Sequence, residues 1–244
     1  MRPIYVFALA VFAFCAALSA AAPRAAHADG ATMKEVDAML DKMEWLGHDT
    51  FKVEAGGKVI YTDPFKLGKG LPKADLVLVT HEHYDHCSPD DLAGITGPDT
   101  VIVAPGDCEG KLKGNVKRVA PGDKLNVKGV DIDVVPAYNT NKQFHPKSNR
   151  WVGYVFTVEG NRIYIAGDTD YIPEMKNIRC DIALLPVSGT YVMTAEEAVK
   201  AADDIKPTVA VPMHYGSIVG EEADARRFAE LYKGKSYIFK QKKY

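Results

Sequence analysis

The chain has 244 residues, 47% of them hydrophobic, with 30 basic and 32 acidic side chains and a formal charge of −2. That length and apolar fraction suffice for a sizeable core, and the slightly acidic balance offers no electrostatic footprint for nucleic acid. No low-complexity linker follows the first thirty residues and no repeat of solenoid length occurs, which excludes repeat architectures.

Met1-Arg2 precedes the apolar stretch Ile4 to Leu18, then small residues and Ala26-His27-Ala28 before Asp29. The pattern predicts a secretory signal over residues 1–28 and a single domain over 29–244, placed in the periplasm or outside the cell. The apolar run is shorter than the roughly 20 residues a spanning helix needs. Phe14, not a small residue, precedes Cys15, so neither a stable membrane anchor nor lipidation is expected. Removing Arg2 and Arg24 leaves 28 basic against 32 acidic residues, a balance of −4. Three cysteines then remain, Cys87, Cys108 and Cys180, an odd number that argues against a disulfide framework.

A short amphipathic helix is predicted near Met33 to Met43. Strands follow over Trp45 to Val53 and Lys58 to Thr62, divided by the turn Ala55-Gly56-Gly57. Leu76 to Thr80 is continuously apolar and β-branched, as a strand buried on both faces would be. Val101–Ala104, Val116–Val119, Lys124–Val127 and Val130–Val135 come next, separated by Gly, Pro and Asn turns. Trp151–Val158 and Arg162–Ala166 form a second hairpin pattern, and Ile182–Pro186 another strand. Thr194-Ala-Glu-Glu197 is a capping box that starts a helix running to about Ile205, before Pro207. Thr208–Val211 reads as a strand, Glu221–Tyr232 as a helix and Ser236–Phe239 as a last strand. Two strand-rich stretches, each carrying helices, predict an α/β fold with two sheets face to face and helices outside.

Polar residues recur where apolar strands end: His48, Asp63, the run His81-Glu82-His83-Tyr84-Asp85-His86, Asn139, Asp168 and His214. Three imidazoles and a carboxylate within six residues form a metal-binding signature, because imidazole suits zinc and related ions while the carboxylate adds a hard anionic donor. A divalent ion can bring bound water from a pKa of about 15.7 to about 7, so a hydrolase needs no Ser or Cys nucleophile. Neither a G-x-S-x-G elbow nor a P-loop is present to compete for that role.

His81-x-His83-x-Asp85-His86, followed by Asp168 and His214, resembles the ligand set of the metallo-β-lactamase superfamily. The resemblance covers nearly the whole mature chain, from Trp45-Leu-Gly-His48 through Thr62-Asp63-Pro64 to Pro212-Met213-His214. The flanking motifs are similar to the branch of ascorbate-6-phosphate lactonase-like and N-acyl-phosphatidylethanolamine phospholipase D-like proteins. The resemblance implies a four-layer αββα sandwich, two divalent metal ions (Zn2+, with Mn2+ or Fe2+ as alternatives), and hydrolysis of a small ester, lactone, amide or phosphodiester by a metal-bound hydroxide. It also implies His81 and His83 at the first ion, Asp85, His86 and His214 at the second, and Asp168 as the bridging carboxylate. The remaining histidine of the first site is replaced at its usual place by Asn139. His145, six residues later, is expected to supply that imidazole, the alternatives being Asn139 itself or an open position. Asp85 is also a candidate for the leaving-group proton, and His48 for orienting substrate or hydrogen-bonding within the ligand set. Asp63 is a candidate acceptor for the far ring nitrogen of a ligating imidazole, and Tyr138, Tyr191, Tyr215 and Lys147 are candidates for the pocket wall. Two alternatives stay open: a nuclease of the ribonuclease Z type, disfavoured by the acidic charge, and a non-catalytic metal- or ligand-binding protein on the same fold. Substrate identity and oligomeric state leave no mark in the sequence.

Overall fold

The computed structural model describes Met1 and residues 30–244; apart from Met1 the predicted signal lies outside the described residues. The first two strands, β1 (Met43–Gly47) and β2 (Thr50–Ala55), pair antiparallel across a tight reversal at His48-Asp49. Two further hairpins follow from local chemistry: Gly56-Gly57 joins β2 to β3 (Lys58–Thr62), and Lys128-Gly129 joins β7 (Lys124–Val127) to β8 (Val130–Pro136). Both turn residues of each pair sit at positive φ, the conformation whose twist matches antiparallel strands.

Each sheet has six strands. In the first, β3 leads into three parallel rungs formed by β4 (Leu76–Leu78), β5 (Val101–Pro105) and β6 (Asn115–Val119). The second carries β7, β8, β9 (Val152–Val158) and β10 (Asn161–Ile165) antiparallel. It then turns parallel through β11 (Ile182–Pro186) and β12 (Val209–Met213). Parallel strands need both faces covered, and the alternation shows how. Leu76, Leu78, Val101 and Val103 enter the core between the sheets, while Val77, Val79, Ile102 and Ala104 enter a separate cluster with Leu92 and Ile95 of α2 (Pro89–Ile95). On the far side α3 (Ala195–Ile205) and α4 (Glu222–Leu231) pack on each other and on β11 and β12. α3 faces the core with Ala198, Ala201 and Ala202, small residues that let its backbone approach the sheet. Helix, sheet, sheet and helix thus form the four layers, with α1 (Met33–Leu40) against β1 and β10.

Four local expectations differ from the structure. The first helix ends at Leu40, one turn early, and β1 begins at Met43. The single run expected over Trp45–Val53 is broken into two strands because Gly47 and His48 adopt positive φ (117° and 53°). α2 was not expected, although Ser88 caps it, Pro89 follows in its first turn and Asp90 and Asp91 complement its dipole. Ser236–Phe239 does not form a strand: it meets β12 at one bridge, Ala210↔Ser236. Ala210 N–H donates to Lys235 O and Ala210 O accepts from Tyr237 N–H. The next residue of β12 facing that way is Pro212, which has no N–H for another rung.

Candidate metal centre

The strand ends gather at one edge of the sandwich. Asp63 follows β3, Thr80 and His81 follow β4, Asp168 follows β10, Ser188 follows β11 and His214 follows β12. These are carboxyl ends of strands that take part in parallel pairing, where open α/β sheets assemble ligand sites. His48, Asp63 and His214 hold φ of 53°, 36° and 61°, sparsely populated conformations that cost on the order of 1–3 kcal/mol each and persist only where neighbours impose them. Part of that constraint is visible: His48 O accepts from Trp45 Nε1–H at 2.9 Å and from His214 N–H at 3.2 Å.

Asp168 is the hub. Its Oδ2 lies 3.1 Å from His145 Nε2 and its Oδ1 3.4 Å from His86 Nε2, while His214 Nε2 lies 3.1 Å from Oδ1 and 3.2 Å from Oδ2. His81 Nε2 is 3.1 Å from His83 Nδ1, and donor atoms of His81, His83 and His145 all fall within 4.8 Å of one another. Donors of His48, His86 and His214 make a second such group. Asp85 Oδ2 sits 3.7 Å from His86 Nε2 and 3.1 Å from His48 Nε2.

The opposite ring nitrogens have their own partners, which leaves the inner ones free as donors to a cation. His86 Nδ1–H donates to Asp63 Oδ2 (2.9 Å), and His145 Nδ1–H to Asn139 Oδ1 (3.1 Å). His214 Nδ1 pairs with Ser188 Oγ (3.0 Å) and His81 Nδ1 with Thr80 Oγ1 (3.0 Å), the Thr80 hydroxyl in turn donating to Asp63 Oδ2 (2.7 Å). His86 Nε2, His145 Nε2 and Asp168 Oδ1 are buried with no aligned hydrogen bond. Buried polar atoms in that state are costly, and nitrogen and oxygen donors converging around a carboxylate fit divalent cations.

Burial and charge set the protonation. Burial drives the His48 imidazole down to about 4, against the upward pull of Asp85. At Asp85 burial acts upward, but the His48 hydrogen bond and the His86 charge outweigh it and hold the carboxyl at about 2. Asp168 likewise lies well below the carboxylate range, burial being outweighed by His214 and His86. Those two rings are raised despite burial, through Asp168 and, respectively, Asp49 and Asp63. His81 and His83 are lowered, chiefly by burial.

The expected residues His48, His81, His83, Asp85, His86, His145, Asp168 and His214 therefore share one centre. Asn139 faces away from it: its Oδ1 takes both the backbone N–H and Nδ1–H of His145, and its Nδ2 donates to Asp170 Oδ1 (3.1 Å) and Tyr191 O (2.9 Å). His48 is 1% exposed and touches Asp85, with no access to substrate space. Of the four wall candidates only Tyr191 lines the cavity over the centre. Tyr138 and Lys147 pair with Glu174, and Tyr215 packs against Trp45 with the rings tilted by 37°. Cys87 points into the α2-side cluster beside Cys108. Asp49 was not singled out from the sequence. It is fully buried, neither carboxyl oxygen has a hydrogen-bond partner, and one oxygen lies 3.9 Å from His86 Nδ1. Burial pushes its carboxyl up to about 7, with His214 and His86 pulling the other way. Thr80 and Ser188 were missed too, though each stands where an apolar strand ends, the signal that pointed to Asp168.

The β-lactamase superfamily domain matches residues 42–214. A UPF0173 metal-dependent hydrolase of Methanopyrus kandleri is 35% identical over 207 residues, covering 77% of this chain and 89% of that one. Among solved structures, one from Parabacteroides distasonis assigned as a metal-dependent hydrolase superposes with a TM-score of 0.73 at 34% identity, covering 82% and 93% of the two chains. The metallo hydrolase Igni18 of Ignicoccus hospitalis shares the fold, with a TM-score of 0.66, 24% identity and coverage of 82% and 94%. The chain belongs to the metallo-β-lactamase superfamily and is a metal-dependent hydrolase of the UPF0173 group.

Proposed function

We propose that the enzyme hydrolyses a small-molecule ester, lactone, amide or phosphodiester with two divalent ions held at the Asp168 centre. The observation that carries this reading is the place of Asp168 between two groups of histidines: Oδ2 faces His145, Oδ1 faces His86, and His214 Nε2 lies within 3.2 Å of both oxygens. His81, His83 and His145 would hold one ion, Asp85, His86 and His214 the other, and Asp168 would touch both. The three-imidazole site suits zinc, and the more oxygen-rich one also suits manganese or iron. Bound ions would supply Lewis acidity and acidify water at neutral pH.

The protein's own groups do the rest. Asp63, Asn139, Ser188 and Thr80 hold the imidazoles in the tautomer that turns a lone pair inward. Asp85, 14% exposed at the cavity floor, can carry a proton between water and the leaving group, and His48 fixes its orientation from behind. Asp85→Asn should reduce kcat at least 100-fold while circular dichroism and the urea midpoint stay near wild type. Full activity in that variant at matched metal content would discard the mechanism.

We also propose that residues 1–28 direct export. N-terminal sequencing of the protein recovered from the periplasm or medium should begin at Asp29, and a mature protein starting at Met1 would overturn this.

A further inference from the structure

The cavity over the centre holds about 210 Å³. Its floor is the site itself; its walls are Tyr84, Phe144, Tyr191 and Ile218. Tyr84 and Phe144 are 65% and 51% exposed, two of the few large hydrophobic side chains left in solvent among the described residues. Phe144 meets Tyr191 edge-on at 4.7 Å, and Tyr84 meets Phe65 in the same way at 5.7 Å. Exposed aromatic surface around a concave site marks a place where an apolar group binds. A cavity of about 150 Å³ accepts benzene, so this one accommodates a single ring plus the reacting group.

The walls contain no lysine or arginine, and three lysines on nearby loops are engaged elsewhere. Lys142 Nζ donates to Asp170 Oδ1 at 2.6 Å, Lys147 pairs with Glu174 at 3.0 Å, and Lys111 pairs with Glu82 at 2.8 Å. Beyond what bound ions supply, phosphate recognition relies on such cations or on clustered backbone N–H donors.

We infer that this site takes an uncharged substrate with an aromatic group beside the scissile bond, the ring lying among Phe144, Tyr191 and Ile218. The inference rests on the hydrolytic reading above. For an ester, water adds its oxygen to the acyl carbon and the acyl–oxygen bond breaks. The alcohol leaves with one proton, and the acid departs as carboxylate with release of the other.

The test uses the full-length mature enzyme loaded with zinc. Hydrolysis of ethyl phenylacetate, ethyl acetate and methyl phenyl phosphate is followed by pH-stat, and binding of 2-phenylacetamide, acetamide and phenyl phosphate by calorimetry. The expected result is at least a tenfold higher kcat/KM for ethyl phenylacetate than for either other compound. The phenyl amide should bind at least tenfold more tightly than acetamide or phenyl phosphate, with both preferences shrinking in Phe144→Ala. Equal use of acetate and phenylacetate, tighter binding of phenyl phosphate than of the neutral amide, or no binding of any probe would overturn the inference. Selective amide binding without turnover of any ester would instead overturn the hydrolytic reading and leave the ring site standing.

Discussion

Replacing Asn139 and His145 one at a time separates a side chain that binds metal from one that aims it. Asn139 is 7% exposed and makes four hydrogen bonds, two accepted from His145 and two donated to Asp170 and Tyr191. At about 0.5–1.5 kcal/mol net for each bond, Asn139→Ala has a ceiling of about 2–6 kcal/mol; water entering the vacated space should bring the loss to about 3 kcal/mol. Its effect on metal is indirect. The His145 ring keeps its place in the chain but loses the acceptor that fixes Nδ1–H, and losing such an outer partner typically weakens metal binding about 10–100-fold. His145→Ala removes an imidazole that lies within 4.8 Å of the His81 and His83 donors, so one ion should be lost outright. Asn139→Asp keeps an acceptor for His145 but turns the donor toward Asp170 and Tyr191 into a second acceptor, and should fold less stably than the alanine variant. Urea melts give the stability term, chelator competition gives affinity, and elemental analysis gives stoichiometry. Were Asn139→Ala to lose an ion while His145→Ala kept two, Asn139 would be the ligand and the reasoning would fail.

Gly167 sits at φ 64°, and a Cβ there would lie 2.9 Å from Thr80 Cβ; Gly167→Ala should cost about 2–4 kcal/mol through strain and overpacking and displace Asp168. Urea midpoints and metal content check this, and a wild-type melt would refute it. Tyr154 crosses the core from the second sheet to donate to Val79 O at 2.7 Å, so Tyr154→Phe should cost about 1–2 kcal/mol with metal affinity changed less than threefold. Glu44 links β1 to the C-terminal segment through Lys242 and Tyr244, and to β2 through Lys52. Burial raises its carboxyl, but those hydrogen bonds outweigh it and hold it at about 2 instead of 4.5. A carboxyl lowered on folding stabilises above its unfolded pKa. The contribution, held to about 1 kcal/mol by solvent screening, should therefore be present above pH 4.5 and fade as pH falls toward 2. The protection factor of the Lys242 amide, its exchange rate corrected for the intrinsic rate at each pH, should fall as pH drops from 4.5 toward 2 in wild type and stay low throughout in Glu44→Gln; equal pH dependence in both would refute the assignment.

Much of the fold was legible because parallel strands buried on both faces leave continuous apolar runs, and because glycine pairs mark hairpins. What escaped was local geometry that no side-chain pattern announces. His48 in a left-handed conformation makes a corner inside what reads as one strand. Pro212 ends pairing toward Ser236 through a missing N–H, and the sequence places that proline in view without saying which edge of β12 its nitrogen faces. α2 was legible in principle, since Ser88-Pro89 followed by two aspartates is a helix start, but seven residues between a metal motif and a strand left little periodicity to read.

The candidate site divides along the same line. Chemistry confined to a few consecutive residues, as in His81 to His86, was visible directly, and so were lone polar residues closing apolar strands. Relations between strand ends were not. Asp63, Thr80 and His86 come from one sheet and Asp168, Ser188 and His214 from the other, and only the packing of the sheets decides which of them meet. Asn139 illustrates the consequence: the sequence pointed to His145 for the missing imidazole but left Asn139 open as an alternative, and it is the return of the loop that brings His145 inward and turns Asn139 behind it. Asp49 is the converse case, an acid beside a histidine in a tight turn, ordinary in sequence, that the closing of the two sheets buries without a hydrogen-bonding partner beneath a set of cation donors.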